Sequence, residues 1–185
     1  PEEAQRCAEW LSENSVKIGS VCSGTDAFQL ALGGISKQAS RFHYRGQPWQ
    51  WQCTFACEKD SAKRRFLQHL HGKGLLRCFH DSAELCLGEL AADDCAAPGF
   101  EYVPAVDCIV AGFPCTDVSS LNSTWHSCST RATVRDASMR TGAVFNHILS
   151  YATEAKVKYM VLENVTTLSL VKNGTSILQD CVELL

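Results

Sequence analysis

Cys115 follows Pro114 directly in the run VAGFPCTDVSSL (residues 110–121), at the point where an apolar segment stops. Glu163 closes a second apolar run, Tyr159-Met160-Val161-Leu162. A thiol is already a few per cent thiolate near neutral pH and is intrinsically nucleophilic. A carboxyl group desolvated at the end of an apolar run keeps its proton to higher pH and can give or share it there. Together the two residues offer a nucleophile and a proton-sharing acid. Pro114 fixes the backbone just before the thiol, and the Ser/Thr-rich segment 116–138 reads as a long loop able to close over a substrate. A cysteine taken alone is more often a packed core residue, so the case for Cys115 rests on its neighbours in space.

Those neighbours depend on the elements that carry them. Ala4, Cys7, Ala8 and Leu11 recur at helical spacing and predict a leading helix within residues 1–15. Val16 to Cys22 predicts a first strand, Asp26 to Leu32 a short helix, and the aromatic and polar stretch 36–50 an inserted loop. Trp51 to Cys57 predicts a second strand. Asp60 then caps a helix with Ala62, Phe66, Leu67 and Leu70 on one face, stopped by Gly72. Leu75 to Phe79, Val106 to Ala111 and Val157 to Leu162 predict three further strands. Val144, Phe145, Ile148, Leu149 and Ala152 mark a helix, and another begins near Thr175. Strands alternating with helices point to an α/β fold with a mostly parallel sheet and helices on both faces.

In an open parallel sheet, ligands bind outside the carboxyl ends of the strands. The residues that follow the strands are Ser23-Gly24-Thr25-Asp26, Glu58-Lys59, Asp81-Ser82, Phe113-Pro114-Cys115 and Glu163-Asn164. A carboxylate after the second strand can accept both hydroxyls of a ribose, and Glu58 has that position. Asp81, after the third strand, can take the exocyclic amine of an adenine. The first loop has one glycine, Gly24, and lacks the GxGxxG pattern of a pyrophosphate cradle. A nucleoside cofactor without phosphates is therefore preferred, and S-adenosylmethionine is the common one of that description.

This set resembles the cytosine-5 DNA methyltransferases. The residues that carry the resemblance are the SGTD loop, the acid of CEKD, Asp81, GFPC with Ser119 four residues after the cysteine, and Glu-Asn-Val at 163–165. PCTDVSSLN is similar to the form of the Pro-Cys motif in the de novo branch. The resemblance implies a Rossmann-like, S-adenosyl-L-methionine-dependent methyltransferase fold. It also implies that residues 1–185 are one partial catalytic domain, about its first half, with the C-terminal strands missing. Cys115 would be the nucleophile toward a cytosine flipped out of DNA, Glu163 the partner of ring nitrogen 3, and Asn164 a holder of the Pro-Cys loop. Pro114 and Ser119 complete the catalytic set. The cofactor would lie against Cys22, Ser23, Gly24, Thr25, Asp26, Glu58, Lys59, Asp81, Ser82, Gly112 and Ala143, the last after Arg140-Thr141-Gly142. The family's usual Phe-x-Gly-x-Gly loop is Cys22-Ser23-Gly24-Thr25-Asp26 here, and the usual Gln after the catalytic Cys is Thr116. A transfer-RNA cytosine methyltransferase of the same family and a silent methyltransferase-like binding module are the alternatives.

Composition narrows the setting. The 185 residues are 45% hydrophobic and 20% charged, which suits one globular domain. No apolar run approaches the roughly 18 residues of a membrane span, so no membrane partner is expected. The net charge of −3 excludes binding to nucleic acid through bulk positive charge, so any such contact is local. The eleven cysteines include no CxxC pair, so no metal site is expected. Cysteines inside apolar segments fit a reducing, intracellular compartment, nuclear in a eukaryote if the substrate is DNA.

Overall fold

The computed structural model describes residues 6, 14–42, 51–72, 77–94, 99–119, 121, 134–171 and 176–185. The predicted leading helix, apart from Arg6, and most of the 116–138 loop lie outside them. Strand β1, Val16–Val21, is buried at every position except Lys17. It is flanked on both sides by parallel partners, β2 (Trp51–Cys57) and β6 (Cys108–Gly112). A strand paired on both edges and covered on both faces needs such a continuous apolar run. With β3 (Arg77–Phe79) and β7 (Tyr159–Glu163) the order is β3-β2-β1-β6-β7, all parallel.

The register between β1 and β2 shifts once. Ile18 lies opposite Cys53, but Gly19 lies opposite Phe55, so Thr54 is an extra residue in β2. A bulge reverses the alternation of side chains beyond it. Cys53 accordingly packs with Ala56, Leu67 and Cys78 on one face, whereas Phe55 and Cys57 join the large cluster on the other.

That large cluster fills the space under helices α3 (Arg140–Glu154) and α4 (Ile177–Leu184), which contribute Phe145, Ile148, Tyr151, Ile177 and Cys181. The Phe55 ring meets Phe79 and Tyr151 edge-on, with centroids 5.6 and 5.7 Å apart, an arrangement favoured by the ring quadrupoles. Tyr151 Oη, carried into the core with its ring, donates to Pro104 O at 2.6 Å. Helices α1 (Ala27–Phe42) and α2 (Ser61–His71) cover the opposite face, through Leu32 against Val16, Ile18 and Cys108, and Leu67 against Ala56 and Cys78. As predicted, Asp60 caps α2, accepting from Ala62 N and Lys63 N, and Gly72 ends it with φ 81°.

One prediction is corrected, and one element carries no prediction. The helix predicted over 26–32 continues to Phe42, so residues 36–42 of the predicted loop are helical. Adjacent Gly33 and Gly34 lower helix propensity, but burial of Ser36 and packing of Leu32 carry the helix through. The segment between β3 and β6 holds an antiparallel hairpin, β4 (Leu90–Ala92) with β5 (Phe100–Tyr102), joined to the sheet by a Phe79–Asp93 bridge. Three-residue strands leave no readable period.

The fold makes two mutational predictions. A Cβ at Gly19 would lie 2.5 Å from Phe55 Cε1 and Cζ and 3.1 Å from Ile109 Cδ1. Gly19→Ala is therefore expected to destabilise the fold by about 1–3 kcal/mol through overpacking, measured by urea unfolding. Helix α3 closes in a Schellman motif, Lys156 N to Thr153 O and Val157 N to Ala152 O, with exposed Lys156 at φ 52°. Glycine suits that left-handed position, so Lys156→Gly is expected to gain about 0.5–1 kcal/mol in the same measurement.

Candidate active site

Helix α1 leaves β1 toward one face of the sheet and α3 follows β6 toward the other, so the carboxyl ends of β1 and β6 border a crevice. A cleft of about 520 Å³ opens there. Of the predicted residues, Cys22, Glu58, Lys59, Asp81, Ser82, Gly112, Pro114, Cys115 and Ala143 line it. Ser23, Gly24, Thr25 and Asp26 form the turn beneath it and are not lining residues.

The turn after β1 is compact because Cys22, Gly24 and Asp26 all adopt positive φ, 55°, 56° and 55°. Its amides face acceptors: Ser23 N donates to Cys57 O at 3.3 Å and Gly24 N to Glu58 Oε2 at 2.9 Å. Glu58 Oε1 accepts from Asp60 N at 3.0 Å. Each carboxylate oxygen has more than one acceptor site, so Glu58 is fixed by two backbone donors and keeps capacity toward the cleft. Buried Arg64 holds the same corner, donating Nη1 to Glu58 O and Lys59 O.

Asp81 Oδ1 accepts from Ala83 N, and its Oδ2 lies 3.0 Å from Lys59 Nζ. Partial burial pushes the Asp81 pKa up, but the Ala83 N–H and the Lys59 ammonium outweigh it and hold the carboxyl below its ordinary value. Burial, with the Glu58 charge adding to it, pushes the Cys22 thiol up to about 11. Cys22 therefore stays protonated at neutral pH.

The loop bearing Cys115 is tied down from three directions. Val118 N and Ser119 N donate to Cys115 O at 3.1 and 2.8 Å, making one tight turn after the cysteine. From the segment after β7, Asn164 Nδ2 donates to Phe113 O at 2.9 Å and Thr167 Oγ1 to Val118 O at 2.8 Å. The third tie runs to α3. Met139 caps that helix without a side-chain bond, and Asp117 from the cysteine loop supplies it, accepting from Thr141 N at 2.6 Å. Asp117 N donates in return to Thr141 Oγ1 at 3.4 Å.

Glu163 ends β7 in register with Gly112. A Cβ at Gly112 would approach Glu163 Oε2 to 3.3 Å, so the bare glycine makes room for the carboxylate. The expectation that Glu163 is enclosed and desolvated is corrected: it is exposed, as are Tyr159 and Val161 on the same side of the strand. β7 is the edge strand among the described residues, and none of them covers that side.

The cleft also contains residues that strand-end reasoning passes over, including Lys63, His80, Thr116, Arg140 and His147. His147 Nδ1 lies 3.2 Å from Ser82 Oγ. A readable signal exists for part of this group: Arg140, Ala143, Val144 and His147 follow i, i+3, i+4, i+7 spacing and share one helix face.

A family model for the C-5 cytosine-specific DNA methylases matches residues 20–185. The chain belongs to this family. The match begins inside β1 and extends through α4, so it takes in the other four strands of the sheet and the residues that line the cleft. Over 155 residues, 84% of the chain, it is 26% identical to the DNA (cytosine-5-)-methyltransferase DMT5 of Cryptococcus neoformans var. grubii serotype A. The matched region spans 6% of that relative's length.

The Asp117–Thr141 tie is open to direct measurement. Replacing an N-terminal helix acceptor by alanine costs roughly 0.5–2 kcal/mol, and the carboxylate also meets the positive end of the helix dipole. Asp117→Ala is expected to lose about that much stability in chemical unfolding, whereas Asp117→Asn, which keeps an acceptor oxygen, retains most of it.

Proposed function

We propose that the chain carries the cofactor cleft and the nucleophile of a DNA cytosine-5 methyltransferase, residues 16–185 being part of its catalytic domain. The observation that supports this most is the convergence of Cys115, Glu58 and Asp81 on one cleft at the switch point of the sheet. The residues fit S-adenosylmethionine. Glu58 would accept the ribose hydroxyls with its remaining lone pairs, and Asp81 would meet the adenine amine if its exposed Lys59 partner yields. Gly112 and Ala143 leave the cleft wall free of bulk. When bound, S-adenosylmethionine supplies an electrophilic methyl group.

The chain's own residues account for the rest. A cytosine flipped from the duplex enters beside Cys115, with Lys63 and Arg140 as local positive charge in a chain of net charge −3. The Cys115 thiolate adds to carbon 6, and the electron pair of the 5,6 double bond moves into the ring. Ring nitrogen 3 takes up a proton that it shares with Glu163, which neutralises the charge developing there and leaves carbon 5 nucleophilic. After methylation, water takes the carbon-5 proton, and the freed electron pair restores the double bond as the Cys115 thiolate leaves. Asn164 and the Asp117–Thr141 pair keep the thiol in place while Ser119 closes the turn behind it. DNA as substrate places the protein inside the cell, in the nucleus of a eukaryote.

Duplex DNA carrying 5-fluorocytosine tests this reading, because fluorine at carbon 5 blocks release of the cysteine. With S-adenosylmethionine present, the parent chain is expected to give a covalent band on a denaturing gel and Cys115→Ser none. Glu163→Gln is expected to form the adduct about 10²-fold or more slowly. No adduct from parent protein that binds both cofactor and DNA overturns the catalytic reading in favour of a binding role. Adduct formation with RNA alone reassigns the substrate.

A further inference from the structure

Beneath the cleft, on the face covered by α1 and α2, three side chains from separate elements converge. Asp26 comes from the turn after β1, Cys53 from the residue before the β2 bulge, and His71 from the last position of α2. One carboxylate oxygen, the sulfur and one imidazole nitrogen all lie within 4.8 Å of one another. His71 Nε2 is 2.7 Å from Asp26 Oδ2, with side-chain exposures of 20% and 1%. Gln29 Nε2 donates to Cys53 Sγ at 2.9 Å.

Such a donor set is selective. One oxygen, one nitrogen and one sulfur cannot satisfy Mg²⁺ or Ca²⁺, which take oxygen shells. They suit a borderline-soft divalent ion in tetrahedral coordination, and zinc is the common one. Zinc–ligand distances of about 2.0–2.3 Å put tetrahedral ligand atoms roughly 3.3–3.8 Å apart, so enclosing the ion requires the Asp26–His71 pair to open from 2.7 Å and the sulfur to come within that range, inside the 4.8 Å that bounds all three atoms. The surroundings already orient one of the ligands: the Gln29 amide would hydrogen-bond a Cys53 thiolate, the kind of outer partner a metal ligand requires.

We propose that Asp26, Cys53 and His71 form a zinc site with three protein ligands and one open position. Zinc would replace the His71–Asp26 hydrogen bond and release the Cys53 thiol proton. The ion would tie the turn that carries Ser23 and Gly24 to β2 and to the end of α2, stabilising the floor of the cleft. The site is separate from Cys115 and from methyl transfer, so it stands or falls without the proposed activity.

Cobalt(II) added to chelator-stripped protein tests it, since a thiolate bound to cobalt absorbs in the near ultraviolet. One equivalent is expected to saturate that absorption in the parent, and Zn²⁺ to bleach it and raise the unfolding temperature. Cys53→Ser is expected to abolish the band, His71→Gln to weaken binding at least about tenfold, and Cys86→Ser, at an exposed thiol, to change nothing. Circular dichroism checks that each variant is folded, and His71→Gln carries the test if Cys53→Ser is not. No absorption in the folded parent, or a band that survives Cys53→Ser or His71→Gln at full affinity, overturns the proposal.

Discussion

The facing of β2 depends on the one unpaired residue at Thr54, where the strand slips against β1 between Ile18 and Gly19. Without that slip Phe55 would turn to the side where Cys53 now lies, because side chains alternate along a strand. With it, Phe55 enters the main core between Phe79 and Tyr151, and Gly19 must stay bare for the ring to fit. The same slip leaves Cys53 on the opposite face with Gln29, Asp26 and His71. It also brings Cys57 and Glu58 to the end of β2 level with the turn after β1, where Ser23 N and Gly24 N find their acceptors. Core packing, the cleft corner and the buried Asp26 cluster thus share one irregularity.

The cleft is organised by backbone donors more than by side-chain charge. Glu58 accepts two amides and Asp81 one, while Asp117 takes an amide at the start of α3. Hydrogen bonds to an ionised acceptor are among the stronger ones, and each of these also satisfies a donor that a turn or helix end leaves orphaned. Acids placed this way anchor the loops, and Glu58 and Asp81 also line the cleft. The Cys115 loop follows the same logic in reverse, its carbonyls at Phe113, Cys115 and Val118 taken by donors on either side.

Much of this was legible because it follows from local pattern. The five parallel strands, the Asp60 cap, the Gly72 stop and the clustering of strand-end residues come from period, capping chemistry and the crevice rule. The long α1 was not, since Gly33 and Gly34 argue against a helix and only packing of Leu32 on the sheet and burial of Ser36 override them. The β4–β5 hairpin was hidden by the shortness of its strands. Glu163 was misjudged because an apolar run reads as buried, whereas Tyr159 and Val161 lie on the side of β7 that none of the described residues covers.

By itself the sequence determined the alternation of strands and helices and the identities of Cys115, Glu58, Asp81 and Glu163 at strand ends, since these rest on neighbours along the chain. Tertiary structure alone decided which way each strand faces after the bulge, that Asp26 turns down to His71 and Cys53 and does not line the cleft, and that Asp117 caps a helix 24 residues away. The reason is physical. Period and capping are properties of adjacent residues, but register, exposure and the meeting of donors with acceptors depend on what the remaining chain brings alongside.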